Sequence, residues 1–347
     1  AMLSVGNYDA VKLLLEPVQP VDVAEAIGNL PQNLQAIAFR LLSKDEAISV
    51  YEYLDTGTQQ NLLSLLRSGE MQEVMEEMSP DDRARLFEEL PAKVVRQLLD
   101  QLSPEERKVT AELLGYEAET AGRLMTTEYI ALKENQTALE ALDIVRRRAR
   151  DTETIYSLYV TDNERRLTGI LSLRDLVTAD PHTLIRDVMT EEVLSVRTDT
   201  DQEKVARTIQ RYDFLAVPVV DLEQRLVGIV TVDDVIDVIE QEATRDLYAA
   251  GAVQAGDEDD YFSSNLFTVA RRRVVWLAVL VVASFFTSEV IAANEEVLQK
   301  VVLLAAFIPL LGGTGGNVGA QSSTVVIRGL STQSISALGP LKAVGRE

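Results

Sequence analysis

The sequence predicts a multidomain chain: an all-α superhelical N domain, an α/β tandem pair, a long linking helix and α-helical membrane segments. Three observations carry this. Apolar residues recur every three or four positions up to about Tyr116, with no strand-like alternation. The stretch from about Gly122 to Ala243 is an internal duplication. Beyond Arg271 the chain turns apolar over lengths that suit a bilayer.

The first region, residues 1–120, reads as short helices in series. Leu34, Ile37, Ala38, Leu41 and Leu42 give the helical period. Ser79-Pro80-Asp81-Asp82 and Ser103-Pro104-Glu105-Glu106 each supply an N-cap, a proline at the first helical position and acids in the first turn. Leu30-Pro31 and Leu90-Pro91 each stop one helix and start the next. Helix-turn units repeated in this way predict a small superhelix, which serves equally as a scaffold or as a sensor.

The duplication spans residues 121–184 and 185–243. Arg123-Leu124-Met125-Thr126 returns as Asp187-Val188-Met189-Thr190, and Leu158-Tyr159-Val160-Thr161-Asp162 returns as Val217-Pro218-Val219-Val220-Asp221. Arg166 to Leu176 returns as Arg225 to Val235. Each copy reads strand, helix, strand, turn, strand, helix. The runs rich in β-branched residues, such as Leu226 to Val232, suit buried strands.

A linking helix and linker follow over residues 232–270, then membrane segments over 271–330 and a tail over 331–347. Twenty helical residues span about 30 Å, a bilayer's hydrocarbon thickness, so Val274 to Ala293 suits one span. Arg271-Arg272-Arg273 before it marks the cytosolic side, and Trp276 suits the interface. Asn294-Glu295-Glu296 reads as an external turn, and a second span runs from Val297 to about Ile327. No leader is visible over Ala1 to Pro20.

The formal charge of −22, from 55 acidic and 33 basic residues, argues against nucleic acid and anionic lipid surfaces and favours cations as partners. The absence of cysteine removes disulfide and thiolate chemistry. The single histidine, His182, follows Pro181 in a turn and cannot build a zinc site alone. With no nucleophile–base pair, the sequence reads as that of a non-enzyme.

Candidate chemistry concentrates in the linking helix. Asp233, Asp234, Asp237, Glu240, Glu242 and Asp246 follow helical spacing, and Arg245 is the only basic residue among them. Two carboxylates about 6 Å apart repel by roughly 3 kcal/mol at an effective dielectric near 20. A hard divalent cation reverses that sign, and Mg²⁺ bridges carboxylates through its retained water. The plainer alternative is a solvated acidic helix. In the second span, Gly315, Gly316, Asn317 and Gln321 suit either an irregular, pore-lining backbone or a tight helix seam.

The order Val219-Val220-Asp221 … Gly228-Ile229-Val230-Thr231-Val232-Asp233-Asp234-Val235 resembles CBS domains, named after cystathionine β-synthase. That resemblance implies a regulatory pair that often binds adenine nucleotides. Adding the acidic helical domain and Pro309-x-x-x-Gly313-Thr314-Gly315-Gly316-Asn317-x-Gly319, almost the whole chain resembles the MgtE magnesium channel family.

The resemblance implies a homodimer in the bacterial inner membrane. Its cytosolic domains sense Mg²⁺, and its linking helix plugs the pore when Mg²⁺ binds between them. Asp201, Glu203 and Asp213 match sensor acids of the second CBS copy, Asp81 one of the helical domain, and Asp234, Asp237, Glu242 and Asp246 acids of the plug helix. Other family acid positions fall on Ser49, Arg85 and Arg245. For ATP, Arg174, Asp175 and Phe214 match, while an aromatic position falls on Ser157. The family has five membrane helices and a pore acid on the last. With two, this chain is expected to be a fragment that senses magnesium without conducting it. The rival reading is a membrane-tethered adenine-nucleotide sensor that transports nothing.

Overall fold

The structure, a computed structural model, describes residues 8–15, 17–66, 68–88, 90–250, 266–301 and 303–331. It divides into two compact units, Ala1–Val238 and Ile239–Glu347.

The first unit opens, among the described residues, with nine helices: α1 (Tyr8–Leu15), α2 (Pro20–Gly28), α3 (Gln32–Phe39), α4 (Lys44–Glu52), α5 (Thr56–Leu65), α6 (Ser68–Glu77), α7 (Pro80–Glu88), α8 (Ala92–Gln101) and α9 (Pro104–Leu114). Local chemistry sets their starts. Ser43 and Glu46 form a reciprocal capping box on α4, Asp55 accepts from the Thr58 amide on α5, and Ser103 accepts from the Glu106 amide on α9. Pro31 and Pro91 stand at the N-caps of α3 and α8. Val23, Ile27, Phe39, Tyr51, Leu62, Met75 and Phe87 build one continuous core. Arg83 is fully buried and braces α6, α7 and α9. It donates to the carbonyls of Met75 (2.6 Å) and Met78 (3.3 Å) and to Thr110 Oγ1 (2.8 Å), and pairs with Glu106.

The first repeat comprises α10 (Ala121–Leu124), β1 (Ala131–Lys133), α11 (Ala138–Arg148), β2 (Ser157–Thr161), β3 (Leu167–Ser172) and α12 (Leu173–Thr178). The second comprises α13 (Ile185–Val188), β4 (Val196–Arg197), α14 (Gln202–Tyr212), β5 (Ala216–Val220), β6 (Leu226–Thr231) and the start of α15 (Val232–Ala250). The sheets have the same plan: β1 runs parallel to β2, which is antiparallel to β3, and β4, β5 and β6 repeat it. The two copies exchange their leading segments. Thr126 trades backbone hydrogen bonds with Ile229 of β6, and Thr190 does so with Ile170 of β3. Glycine is needed at both crossings, because a Cβ on Gly228 or Gly169 would run into Met125 or Met189.

The helical domain docks on the second repeat through an apolar seam. Ala84 of α7 and Leu113 of α9 share one core with Val205, Val217, Val230, Val235 and Val238. Residues of α7 and of the first half of α15 thus belong to the same core.

The second unit begins within α15 and contains α16 (Leu266–Ala293), α17 (Glu295–Lys300) and α18 (Leu303–Ser331). Among the described residues no helix is long and apolar enough to cross a membrane. Leu277, Val281, Phe285, Phe286 and Val290 of α16 stand exposed. The expected second span differs in two ways. Val297 to Lys300 forms the separate short helix α17, and α18 continues as a helix through Pro309 and the glycine-rich stretch. A helix satisfies its own backbone groups, so Gly315, Gly316, Asn317 and Gln321 lie on regular rather than irregular backbone. The expectations for the side chains of Arg271, Arg272, Arg273 and Trp276, for the linker 251–265 and for the tail beyond Ser331 lie outside the described residues.

Candidate functional site

The second residue of α7 is the centre of the site. Asp81 is 9% exposed, and its Oδ1 is buried without a hydrogen-bond partner. Burial, then Asp82, pushes its carboxyl up to about 6, against opposition from Arg85 and Ser79. Three further elements bring acids to it. At the end of α4, Glu52 accepts from the Ser79 amide at 3.4 Å, and burial followed by Asp82 raises it to about 7. In the first repeat the Glu153 amide donates to the Glu128 carbonyl at 2.9 Å, which holds these two glutamates together. Burial followed by Asp81 raises Glu128 to about 7 and the rim residue Glu153 to about 8. At the start of α15, Asp234 accepts from Thr231 Oγ1 at 2.9 Å. Burial followed by Asp81 holds it well above the usual carboxylate range.

Five carboxyls from α4, α7, the first repeat and α15 are thus raised, each chiefly by burial, and the charge of Asp81 adds to the shift of the other four. Each ordinarily ionises near pH 4 and resists doing so here. All the available donors are hard oxygens, and one of them is an orphaned buried carboxylate oxygen, so the chemistry fits a hydrated divalent cation such as Mg²⁺. Among the described residues no three such side chains converge closely enough to hold an ion directly.

Asp237, one turn along α15, meets a cation instead. Arg85 Nη1 lies 3.2 Å from its Oδ2, and Arg85 also pairs with Asp82. Burial works against the Arg85 charge, but Asp82, Asp234 and Asp237 outweigh it. Further along, Glu242 accepts from Arg245 Nη1 at 3.0 Å, and Asp246 is half-exposed. The expectation that Arg245 alone answers these acids is corrected here, because Arg85 arrives from α7, remote in sequence.

Asp201, Glu203 and Asp213 belong to a separate place. Asp201 caps α14, Glu203 pairs with Arg207, and Asp213 closes the helix in the left-handed region at φ 53°. Eleven residues of helix set its two ends about 16 Å apart, too far to share one ion. In the pair, Ser172 Oγ donates to Asp175 Oδ2 at 2.5 Å, beside Arg174 at the start of α12. Phe214 stacks on Tyr212 at 5.5 Å between ring centres.

Sequence reasoning missed Glu52, Asp82, Glu128 and Glu153. Asp82 carried a signal as a first-turn acid, but the other three read as ordinary surface glutamates. Only the fold brings them to α7.

The arrangement defines a class: a helical domain, a tandem α/β repeat and the start of a linking helix that share one apolar core and gather raised carboxyls beside it. The description "MgtE intracellular N domain" matches residues 18–119, and CBS domains match residues 121–182 and 185–241. The chain is 43% identical to the magnesium transporter MgtE of Thermus thermophilus over 336 residues, 96% of this chain and 74% of that protein. It is 35% identical to the magnesium transporter MgtE of Bacillus subtilis, covering 100% of this chain and 76% of that one. The crystal structure of the cytosolic domain of the Mg²⁺ channel MgtE in complex with ATP aligns with 68% of this chain and 96% of its own, at 44% identity and TM-score 0.65. The chain belongs to the MgtE magnesium transporter family.

Proposed function

We propose that this chain takes part in Mg²⁺ transport and senses cytosolic Mg²⁺ at the junction of its helical domain (1–120), CBS copies (121–184 and 185–243) and plug helix (232–270). In this reading the helical domain and CBS pair lie in the cytosol, and the segments in 271–330 enter the bacterial inner membrane of a homodimer. Mg²⁺ bridges Asp81 to Asp234 and their neighbours, holds α7 against α15 and favours the closed pore. The observation that supports this most is the orphaned, buried oxygen of Asp81, whose charge acts on acids from three other elements.

Mg²⁺ acts by binding the compact state better than the separated one. Moving a population from mostly open to mostly closed takes about 5.5 kcal/mol of differential binding. Glu242 and Asp246, and Asp201, Glu203 and Asp213 on α14, supply further carboxylates for separate ions. Asn317 and Gln321, one turn apart on α18, and the small residues Gly315 and Gly316 beside them are the residues proposed to line the pore. Adenine nucleotide belongs to the same reading: the similar cytosolic domain was crystallised with ATP, and Arg174, Asp175 and Phe214 are the residues proposed to receive it.

Limited proteolysis of the full chain in detergent, with and without millimolar Mg²⁺, tests the sensor. Mg²⁺ should slow cleavage, and Asp234→Ala combined with Asp237→Ala should flatten the response. Equal cleavage of the unaltered chain in both conditions would overturn the proposal. Calorimetry with ATP separates the rival: tight nucleotide binding together with indifference to Mg²⁺ would favour a nucleotide sensor that transports nothing.

A further inference from the structure

We infer that Arg85 is a tethered counter-ion, a cation built into the chain that does part of the bridging between α7 and α15 which Mg²⁺ does elsewhere. The inference rests on the sensor reading and goes beyond it, because it assigns part of the closure to the protein itself. Arg85 follows Ala84, which is fully buried in the core that also holds Val235 and Val238 of α15. Arg85 pairs with Asp82 on its own helix and with Asp237 across the junction at 3.2 Å, and the charge of Asp234 also acts on it. Its side chain is 42% exposed and that of Asp237 is 58% exposed. The bridge is therefore strong enough to bias closure and exposed enough to be screened by salt.

A planar guanidinium suits the position, since it can address two carboxylates at once. It also places one positive charge between Asp82 of α7 and Asp237 of α15, and that charge is present in every state of the protein. The junction then never opens by the full repulsion of its acids, and the Mg²⁺ needed to close it is lower than the carboxylates alone would require.

The test compares the full chain in detergent with Arg85→Gln and Arg85→Lys, by proteolysis across an Mg²⁺ titration at low salt and at 0.5 M NaCl, roughly five times an ionic strength whose screening length is ~10 Å. Far-UV circular dichroism and thermal melting confirm that each variant folds. Arg85→Gln should raise the Mg²⁺ midpoint roughly two- to five-fold at low salt, the scale of a partly exposed ion pair. Arg85→Lys should recover most of that shift, and high salt should narrow the gap. In divalent-free, low-salt buffer, Arg85→Gln should be cut faster than the unaltered chain. Identical midpoints and identical divalent-free cleavage would overturn the inference while leaving Mg²⁺ sensing intact. If Mg²⁺ protects neither protein, the sensor reading fails instead, and the divalent-free comparison still decides the role of Arg85.

Discussion

A carboxylate that is nine-tenths buried beside other acids must take a proton, find a cation or separate from its neighbours. Asp81 is in that position, with one oxygen unpartnered. Asp81→Asn removes the charge at nearly constant shape. In Mg²⁺-free buffer it should stabilise the docked arrangement by about 1–3 kcal/mol, the scale of one buried, unmet polar group. The variant should resist protease without Mg²⁺ and gain little when Mg²⁺ is added; protection that still depended fully on Mg²⁺ would count against Asp81. Arg83, two residues on, has the opposite logic. Its charge is buried but met by two carbonyls, Thr110 and Glu106. Removing one partner of a buried ionic set strands the others, so Arg83→Ala should cost about 3–5 kcal/mol, read as a lower chemical midpoint for the helical domain.

At the scale of elements, the exchange of leading segments explains why both repeats keep a glycine in their third strand, and the two sites differ in a measurable way. On Gly228 an added Cβ would lie 2.6 Å from Met125 Sδ and 2.7 Å from the Thr126 carbonyl oxygen. On Gly169 its three nearest neighbours would all be atoms of the Met189 side chain. Methionine can swing aside, whereas a paired backbone carbonyl cannot. Gly228→Ala should therefore destabilise the pair by about 1–3 kcal/mol, and Gly169→Ala by clearly less, in parallel denaturant titrations. Equal losses would mean that Met125 and Met189 are equally pinned.

The elements themselves were readable in the residues. Proline and serine punctuation located α3, α7, α8 and α9, and the duplicated strand pattern gave both sheets. What the sequence hid was long-range. Nothing local marks Glu52, Glu128 or Glu153, because an acid on a helix end or a loop looks the same whether it faces water or Asp81. The pairing of Arg85 with Asp237 links positions 152 residues apart. The glycine-rich stretch was open for a different reason: its composition permits both irregular backbone and helix, and in α18 it is helix.

For the molecule as a whole, two forces oppose each other across the same seam. Ala84 and Leu113 favour docking on the second repeat, at a scale of roughly 3 kcal/mol for side chains of their size. A single pair of ionised carboxylates about 6 Å apart opposes it by a similar amount. Near such a balance, proton binding and Mg²⁺ binding both decide the outcome. The raised acids are Asp81 (to about 6), Glu52 and Glu128 (to about 7), Glu153 (to about 8) and Asp234, well above its ordinary value. A raised carboxyl means that the docked state binds more protons than the separated one between about pH 4 and pH 8, so docking weakens as pH rises through that window. In divalent-free buffer, protease protection should be greatest near pH 4.5 and should fall progressively to pH 8.5. Mg²⁺ should act mainly at the alkaline end, where the carboxylates are ionised, and should release protons as it binds. A protease profile taken from pH 4.5 to pH 8.5, with and without Mg²⁺, should show two curves that meet in acid and diverge in base. Parallel curves would mean that the ion binds away from these five acids.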